Sequence, residues 1–428
     1  MTMTSVHLPP EIHELIISHF KPINDLHTAL SSPWIDPEAV FHRYQKSVYS
    51  CTQFRFVNRA WNHLFLPFVY NLLVIPCRPS LACRLRVKAV DHHSELVHTI
   101  ILRSGSSGQP YHEVSFDDTN LLRETLNKCT RLVRLETWIG KTHFIMGGES
   151  YIPHLFGGIN SLHLRSAVFY SVDLDVILNA FSMMESRIRN GLTELVLGDM
   201  FVLHQLMEPE LPLLLPSLER LTLKGLYGGD PGKIADFICQ ITRKRPSIEG
   251  LGHAEMGTTP LRHLLISGIY TFLDDRLFTR ILTSSHLGFS LTSLEICIPA
   301  TGSRLDAFTN TPTAVTACCP NLTRLMYLTL CPIPFIYKIP TPIEEFGVLI
   351  AHKIQVMMLL PSTALTTVEP LMEVVDPAST AYKRNLKKLW VVWENGSSRD
   401  TAESEEVLRE RCGNAGVELF NELPTSLS

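Results

Sequence analysis

A short apolar signature, apolar-x-x-apolar-x-apolar, recurs along this 428-residue chain and constrains its fold more than any other feature. It stands at Val97, Ile100 and Leu102, then at Leu132, Leu135 and Thr137, and at Ile159, Leu162 and Leu164. Further copies are Leu192, Leu195 and Leu197; Leu218, Leu221 and Leu223; Leu261, Leu264 and Ile266; and Leu291, Leu294 and Ile296. Degenerate copies follow at Leu322, Leu325 and Tyr327, at Ile354, Met357 and Leu359, and at Leu386, Leu389 and Val391. Successive copies begin 26 to 43 residues apart. Several share an introduction: Cys129-Thr130-Arg131-Leu132, Pro216-Ser217-Leu218 and Cys319-Pro320-Asn321-Leu322. A Pro or Cys, a polar residue or pair, then Leu indicates one reused turn into a strand.

Helical periods lie between the signatures. Leu121, Leu122, Thr125 and Leu126 share a face, as do Leu174, Ile177, Leu178, Phe181 and Met184. So do Ile234, Phe237, Ile238 and Ile241, and Leu277, Phe278, Ile281 and Leu282. Pro231 suits a first helical turn, and Pro246 follows where that helix must have ended. The unit is one helix and one short strand, about 30 residues long. Neither element buries its apolar side alone, so the units must stack. An α/β solenoid follows, with parallel strands on the concave side and helices on the convex side. The pattern resembles the leucine-rich repeats, L-x-x-L-x-L. The position that this family gives to Asn or Cys holds Gly105, Gly140, Ala167, Met200 and Leu226, so an irregular arc without an asparagine ladder is expected. The competing reading is an ordinary α/β domain, whose ligand sites would sit in Gly-rich loops after strands.

Composition narrows the function classes. Hydrophobic residues make up 45% and charged residues 19%, a globular balance. The formal net charge of -4 gives no nucleic-acid surface, and Arg243-Lys244-Arg245 reads as a solvated helix end. No run approaches the roughly 18 apolar residues of a membrane span. Met1 to Ser5 lacks the basic start and apolar core of a secretory signal. The ten cysteines are scattered, with no Cys-x-x-Cys. A protein of the cytoplasm or nucleus is expected.

The N-terminal 75 residues read differently from residues 76–428. Pro9 and Pro10 open a helix in which Ile12, Leu15, Ile16, His19 and Phe20 form a stripe. A second helix over 54–64 puts Phe54, Val57, Trp61 and Leu64 on one face, bounded by Pro67, and Tyr70 to Ile75 reads as a strand. Between them Ser31 to Pro37 reads as a loop and Glu38 to Tyr49 as a helix. Leu8-Pro9-Pro10-Glu11-Ile12, with Ile16, Phe20, Val57 and Trp61, resembles an F-box. Leu66 to Ile75 looks like the continuation common in fungal F-box proteins with degenerate leucine-rich repeats. Asn58 replaces the family's Cys, and the 49 positions from Leu8 to Val57 imply an insertion near 31–50. The resemblance implies a non-catalytic adaptor. Leu8, Pro9, Ile12, Ile16, Phe20, Val57 and Trp61 would contact a Skp-type adaptor and, through it, a cullin. The repeats would hold a protein target, with Arg134, Glu194, Glu219, Arg220, His263, Glu295 and Lys388 as candidate contacts. Two alternatives remain open. One is an interaction scaffold whose N-terminal helices merely cap the repeats; the other is an α/β enzyme.

Motifs of chemistry give little. Gly228-Gly229-Asp230-Pro231-Gly232-Lys233 is one residue short of a phosphate loop and is followed by Ile234 rather than Ser or Thr. His92 and His93 with Glu95 and His98 do not converge as metal ligands, so no metal or cofactor is expected. Asp117-Asp118 and Asp274-Asp275 stand where they would favour helix starts. Asn321-Leu322-Thr323 and Asn395-Gly396-Ser397 fit the glycosylation pattern, irrelevant without a signal peptide.

Overall fold

The computed structural model describes residues 37–57, 59–76, 90–103, 116–138, 151–172, 174–199, 215–225, 235, 238–239, 261–267, 275–284, 287–297, 311–330, 333–350, 365, 367–393 and 399–421. Its strands are β1 (Leu72–Pro76), β2 (Thr99–Arg103), β3 (Arg134–Trp138), β4 (Ser166–Tyr170), β5 (Glu194–Gly198), β6 (Arg220–Lys224), β7 (His263–Ser267), β8 (Ser293–Cys297), β9 (Arg324–Leu330), β10 (Glu345–Ile350), β11 (Lys388–Trp393) and β12 (Glu418–Phe420). They form one 12-stranded sheet in strict sequence order, and adjacent strands pair in parallel.

Two helices precede the sheet, α1 (Pro37–Phe54) and α2 (Arg59–Tyr70). Those between strands include α3 (Phe116–Lys128), α4 (Tyr151–Phe156), α5 (Leu174–Met183), α6 (Ser186–Arg189), α7 (Asp275–Ser284) and α8 (Leu287–Ser290). They continue with α9 (Thr311–Cys318), α10 (Ile333–Tyr337), α11 (Glu369–Val375) and α12 (Arg399–Ala415). Helix between strand, strand beside strand: this is the solenoid-like α/β arrangement that the repeat demanded.

The signature explains the core. Its second and third apolar residues occupy the second and fourth strand positions, which face the helices. Leu135, Leu195, Leu221, Leu264, Leu294 and Leu325 stack in one row, and Leu197, Leu223, Ile266, Ile296 and Tyr327 in the next. These rows share one buried cluster with Leu122, Ile177, Phe181, Ile281 and Leu282 of α3, α5 and α7. The described members of the predicted helix stripes therefore face the sheet; Ile234, Phe237 and Ile241, with Pro231 and Pro246 and the side chains of Leu174, Leu277 and Phe278, lie outside what is described. Phe169 stacks on Phe156 of α4 at 5.0 Å and meets Phe181 of α5 edge-on at 5.7 Å.

The reused turn is present as well. The N–H of the signature's first residue donates to the carbonyl three residues back at Leu132, Leu218, Leu322 and Leu386, and that of Leu164, two residues before β4, does the same. Polar side chains in these turns tie one unit to the previous one. Asn321 Nδ2 donates to the Phe289 carbonyl at 2.7 Å, and Asn385 Nδ2 to that of Thr341 at 3.1 Å. Ser290 Oγ lies 2.7 Å from the Leu261 carbonyl. A polar ladder thus exists, before the strand rather than after it.

Several readings need correction. The copy at Ile159, Leu162 and Leu164 is displaced: the strand is β4, and its inward residues are Ala167 and Phe169, preceded by Leu164. Ala167 is too small to signal a core site, while Leu162, 58% exposed in the turn, supplied a false one. The strand joining β9 to β11 is β10, led by buried Ile343, Phe346 and Val348; the copy at Ile354, Met357 and Leu359 lies outside the described residues. The helix expected over 54–64 is broken. α1 ends at Phe54, residues 55–57 turn, and α2 begins at Arg59. Pro67 sits inside α2 rather than bounding it.

The segment read as an insertion is half of the N-terminal core. Tyr44 and Cys51 of α1 pack with Phe65 of α2 and with Leu72, Val74 and Ile101 of β1 and β2. Tyr44 also donates its hydroxyl proton to the Leu72 carbonyl. Those strand residues sit at odd positions, on the face turned away from the other helices. β1 and β2 are therefore covered on both sides, which is why they read as continuous apolar runs, LLVIP and TIILR. The strand read at 70–75 is thus the first strand of the sheet itself.

Ser161 tests the turn ladder. It is fully buried, and its Oγ lies 2.8 Å from both the Thr130 and Leu132 carbonyls while accepting the His163 N–H. Ser161→Ala should lower stability by about 1–3 kcal/mol, because buried backbone groups lose their partner. Urea unfolding followed by circular dichroism measures it.

Candidate functional site

From β3 onward, odd strand positions face away from the helices, and register builds three rows across the sheet. The first runs Arg134, Ser166, Glu194, Arg220, His263, Ser293, Arg324, Glu345, Lys388. The second runs Glu136, Val168, Val196, Thr222, Leu265, Glu295, Met326, Gly347, Trp390. The third begins Trp138, Tyr170, Gly198, Lys224, Ser267, Cys297.

Two ionic networks flank the middle of this face. On β3–β5, Arg134 donates to Glu136 and to Glu194, each at 2.7 Å. Ser166 Oγ lies 2.5 Å from Glu194, and Trp138 Nε1 donates to Glu136 at 2.9 Å. On β8–β11, Arg324 bridges Glu295 at 3.0 Å and Glu345 at 2.5 Å, and Lys388 donates to Glu345 at 3.1 Å. The Arg324 guanidinium lies 5.5 Å from the centre of the Trp390 ring, which stacks on Phe420 at 5.0 Å.

Glycine makes room for the aromatic parts. A Cβ on Gly198 would stand 2.2 Å from the Tyr170 ring, so that ring lies across β5 and stacks on Trp138 at 3.6 Å. A Cβ on Gly347 would meet the Met326 methyl at 2.3 Å. Burial, with Glu136 next, pushes the Tyr170 phenol well above its usual range, so it stays protonated.

Between the networks, β6 carries two cations with no ion pair among the described residues, Arg220 and Lys224. Lys224 is 7% exposed, and its Nζ has no hydrogen-bond partner. Its register neighbour Ser267 is 1% exposed with an unsatisfied Oγ, and Glu295 has an unsatisfied Oε2. Burial first, then the Arg134 charge, lowers the Lys224 pKa from 10.5 to about 8. Burial raises Glu295 despite Arg324, and pushes the Cys297 thiol up to about 12, so it is no nucleophile. Burial and then Arg220 hold His263 below its usual range, hence neutral.

Of the expected target contacts, Arg134, Glu194, Arg220, His263 and Lys388 fall in one row and Glu295 in the next. Glu219 stands one residue before β6, outside the row. Arg134, Glu194, Glu295 and Lys388 are already engaged with one another or with Glu136, Arg324 and Glu345. Sequence reading missed Lys224, Ser267, Glu136, Arg324 and Trp390. Period-two alternation from Arg220 would have reached Lys224; the rest needed the register.

A second surface lies at the N-terminal helices. Tyr49, Phe56 and Val57 are 66%, 81% and 60% exposed. A groove of about 480 Å³ runs between α1 and the edge strand β1, lined by Tyr44, Val48, Tyr49, Val69 and Leu73. Trp61, by contrast, packs into an aromatic cluster with Phe54 at 5.5 Å and Phe65 at 5.6 Å. Leu8, Pro9, Ile12, Ile16 and Phe20 lie outside the described residues. Among the described residues no helix is long and apolar enough to cross a membrane, and no group of three His, Cys, Asp or Glu side chains could hold a metal ion. No protein-family model matches the chain, and no curated protein matches it in sequence.

Two stability measurements check the electrostatics. Arg134→Met should cost about 3–5 kcal/mol in urea unfolding, because it takes the guanidinium from Glu136, which is 1% exposed; adding Glu136→Leu should recover most of it. Lys224 acts in the opposite sense. The unfolded chain keeps this proton up to 10.5 and the folded chain up to about 8, so stability rises with pH through that window and the cost is full below it. Lys224→Met should be more stable at neutral pH, by up to about 3 kcal/mol, and should lose that rise.

Proposed function

We propose that this chain is a substrate-recognition adaptor of a Skp–cullin–F-box ubiquitin ligase. The N-terminal helices dock on the Skp-type adaptor, and the sheet holds a protein target. No bond is made or broken by the chain; it contributes effective concentration and orientation. The observation that carries this reading is the exposure of three large apolar side chains, Tyr49 on α1 and Phe56 and Val57 in the turn that follows it. Large apolar side chains at 60% exposure or more, one of which, Tyr49, lines the groove, suit a partner surface. Val57 belongs to the text that resembles an F-box. Trp61, from the same text, packs in the aromatic cluster with Phe54 and Phe65.

The second reading is a repeat scaffold with no link to a ligase. It is favoured by the packing of α1 and α2 on β1 and β2, which would serve equally as a cap. Affinity capture of the full chain with a purified Skp-type adaptor separates the two. The wild type should bind. The double variant Phe56→Asp, Val57→Asp should bind at least about tenfold more weakly with an unchanged circular dichroism spectrum, since both side chains are exposed. A wild-type chain that fails to bind leaves the scaffold reading.

A further inference from the structure

Buried polar atoms without partners are few in a native fold, and each calls for a reason. Three of them stand on adjacent strands here: Lys224 Nζ on β6, Ser267 Oγ on β7 and Glu295 Oε2 on β8. Lys224 and Ser267 are direct register partners, and Glu295 stands on the next strand, two residues before Cys297, the register partner of Ser267. All three side chains leave the sheet on the face away from the helices. Lys224 and Glu295 start about 12 Å apart, two strand spacings across and two residues along, and their charged ends close no ion pair.

The carboxylates around them are already bonded to other cations. Glu136 and Glu194 have Arg134; Glu295 Oε1 and Glu345 have Arg324. The buried Lys224 ammonium makes neither a hydrogen bond nor an ion pair, and burying a cation without either is costly. What fits is defined atom by atom. The ammonium asks for an anionic acceptor. The Ser267 hydroxyl joins the same acceptor. The free Glu295 oxygen asks for an N–H or O–H donor close by. A phosphate dianion would face the Glu295 carboxylate, a like charge, whereas a single carboxylate matches the single unpaired ammonium.

We propose that Lys224, Ser267 and Glu295 form a binding site for a carboxylate that carries an adjacent N–H donor. A free amino acid and the C-terminal residue of a polypeptide both present this pair. The site stands on the sheet alone and does not depend on the N-terminal helices.

The test uses the full chain and four probes at millimolar concentration: glycine, N-acetylglycine, N-acetylglycinamide and inorganic phosphate. The readouts are the thermal midpoint and the rate of amine acylation at Lys224, followed by peptide mass spectrometry. Glycine or N-acetylglycine should raise the midpoint and slow acylation about tenfold, as expected for a site mostly occupied at that concentration. The neutral amide should do neither. Preference for glycine assigns a free amino acid, and preference for N-acetylglycine a polypeptide C-terminus. Ser267→Ala and Glu295→Gln should each weaken the protection, and Lys224→Met should abolish the midpoint shift. An effect of the amide equal to that of N-acetylglycine, a stronger effect of phosphate, or no effect of any probe on the midpoint would each overturn the site; the last would leave bridging water in the cluster.

Discussion

One backbone carbonyl per unit fastens this solenoid together. The residue before each strand offers its carbonyl to two N–H groups of the next unit, at 2.7–3.1 Å. Asn71 receives His98 and Thr99; His98 receives Val133 and Arg134; Val133 receives Arg165 and Ser166; the series continues through Arg165, Thr193, Glu219, Arg262, Thr292 and Thr323 to Glu344. A carbonyl has two lone pairs, so this double acceptance satisfies two donors at the strand entrance with one group. It also fixes register from β1 to β11 before any side chain is considered. A slip of one residue would send every signature Leu to the wrong face. The helices can then vary in length and text, since they need only cover a sheet whose alignment is set by the backbone.

Fixed register is what turns scattered charges into structure. In the sequence Arg134 and Glu194 are 60 residues apart; in the sheet they meet across Ser166 at 2.7 Å. Such networks hold little net stability once desolvation is counted, but they forbid misalignment, because a shifted strand would strand a buried charge. The two networks tie their charges to one another and leave one Glu295 oxygen without a partner. The centre, on β6 and β7, has no such ties among the described residues, and the cost of Lys224 is the mark of that difference.

The N-terminal helices follow another logic. α1 and α2 do not continue the helix layer; they lie on the opposite face of β1 and β2. The sheet therefore changes character along its length, from two covered faces to one face of ordered charge. The bend at residues 55–57 turns Phe56 and Val57 outward, where a single helix would have laid Val57 in line with Trp61.

The sequence by itself determined the unit, the parallel α/β stack, most strand positions and the reused turn. Each of these follows from local periodicity, which a chain carries residue by residue. It misplaced β4, where Ala167 takes a core site too small to announce itself, and passed over β10, where Gly347 interrupts the apolar run to seat Met326. It named five of the nine side chains in the first polar row, because alternation within a strand is local. Only the tertiary structure decided which charges pair, which cations on β6 stay without an ion pair, and that α1 packs into the N-terminal core. Those outcomes depend on contacts between residues tens of positions apart, and separation in sequence carries no sign of them until the backbone ladder sets the register.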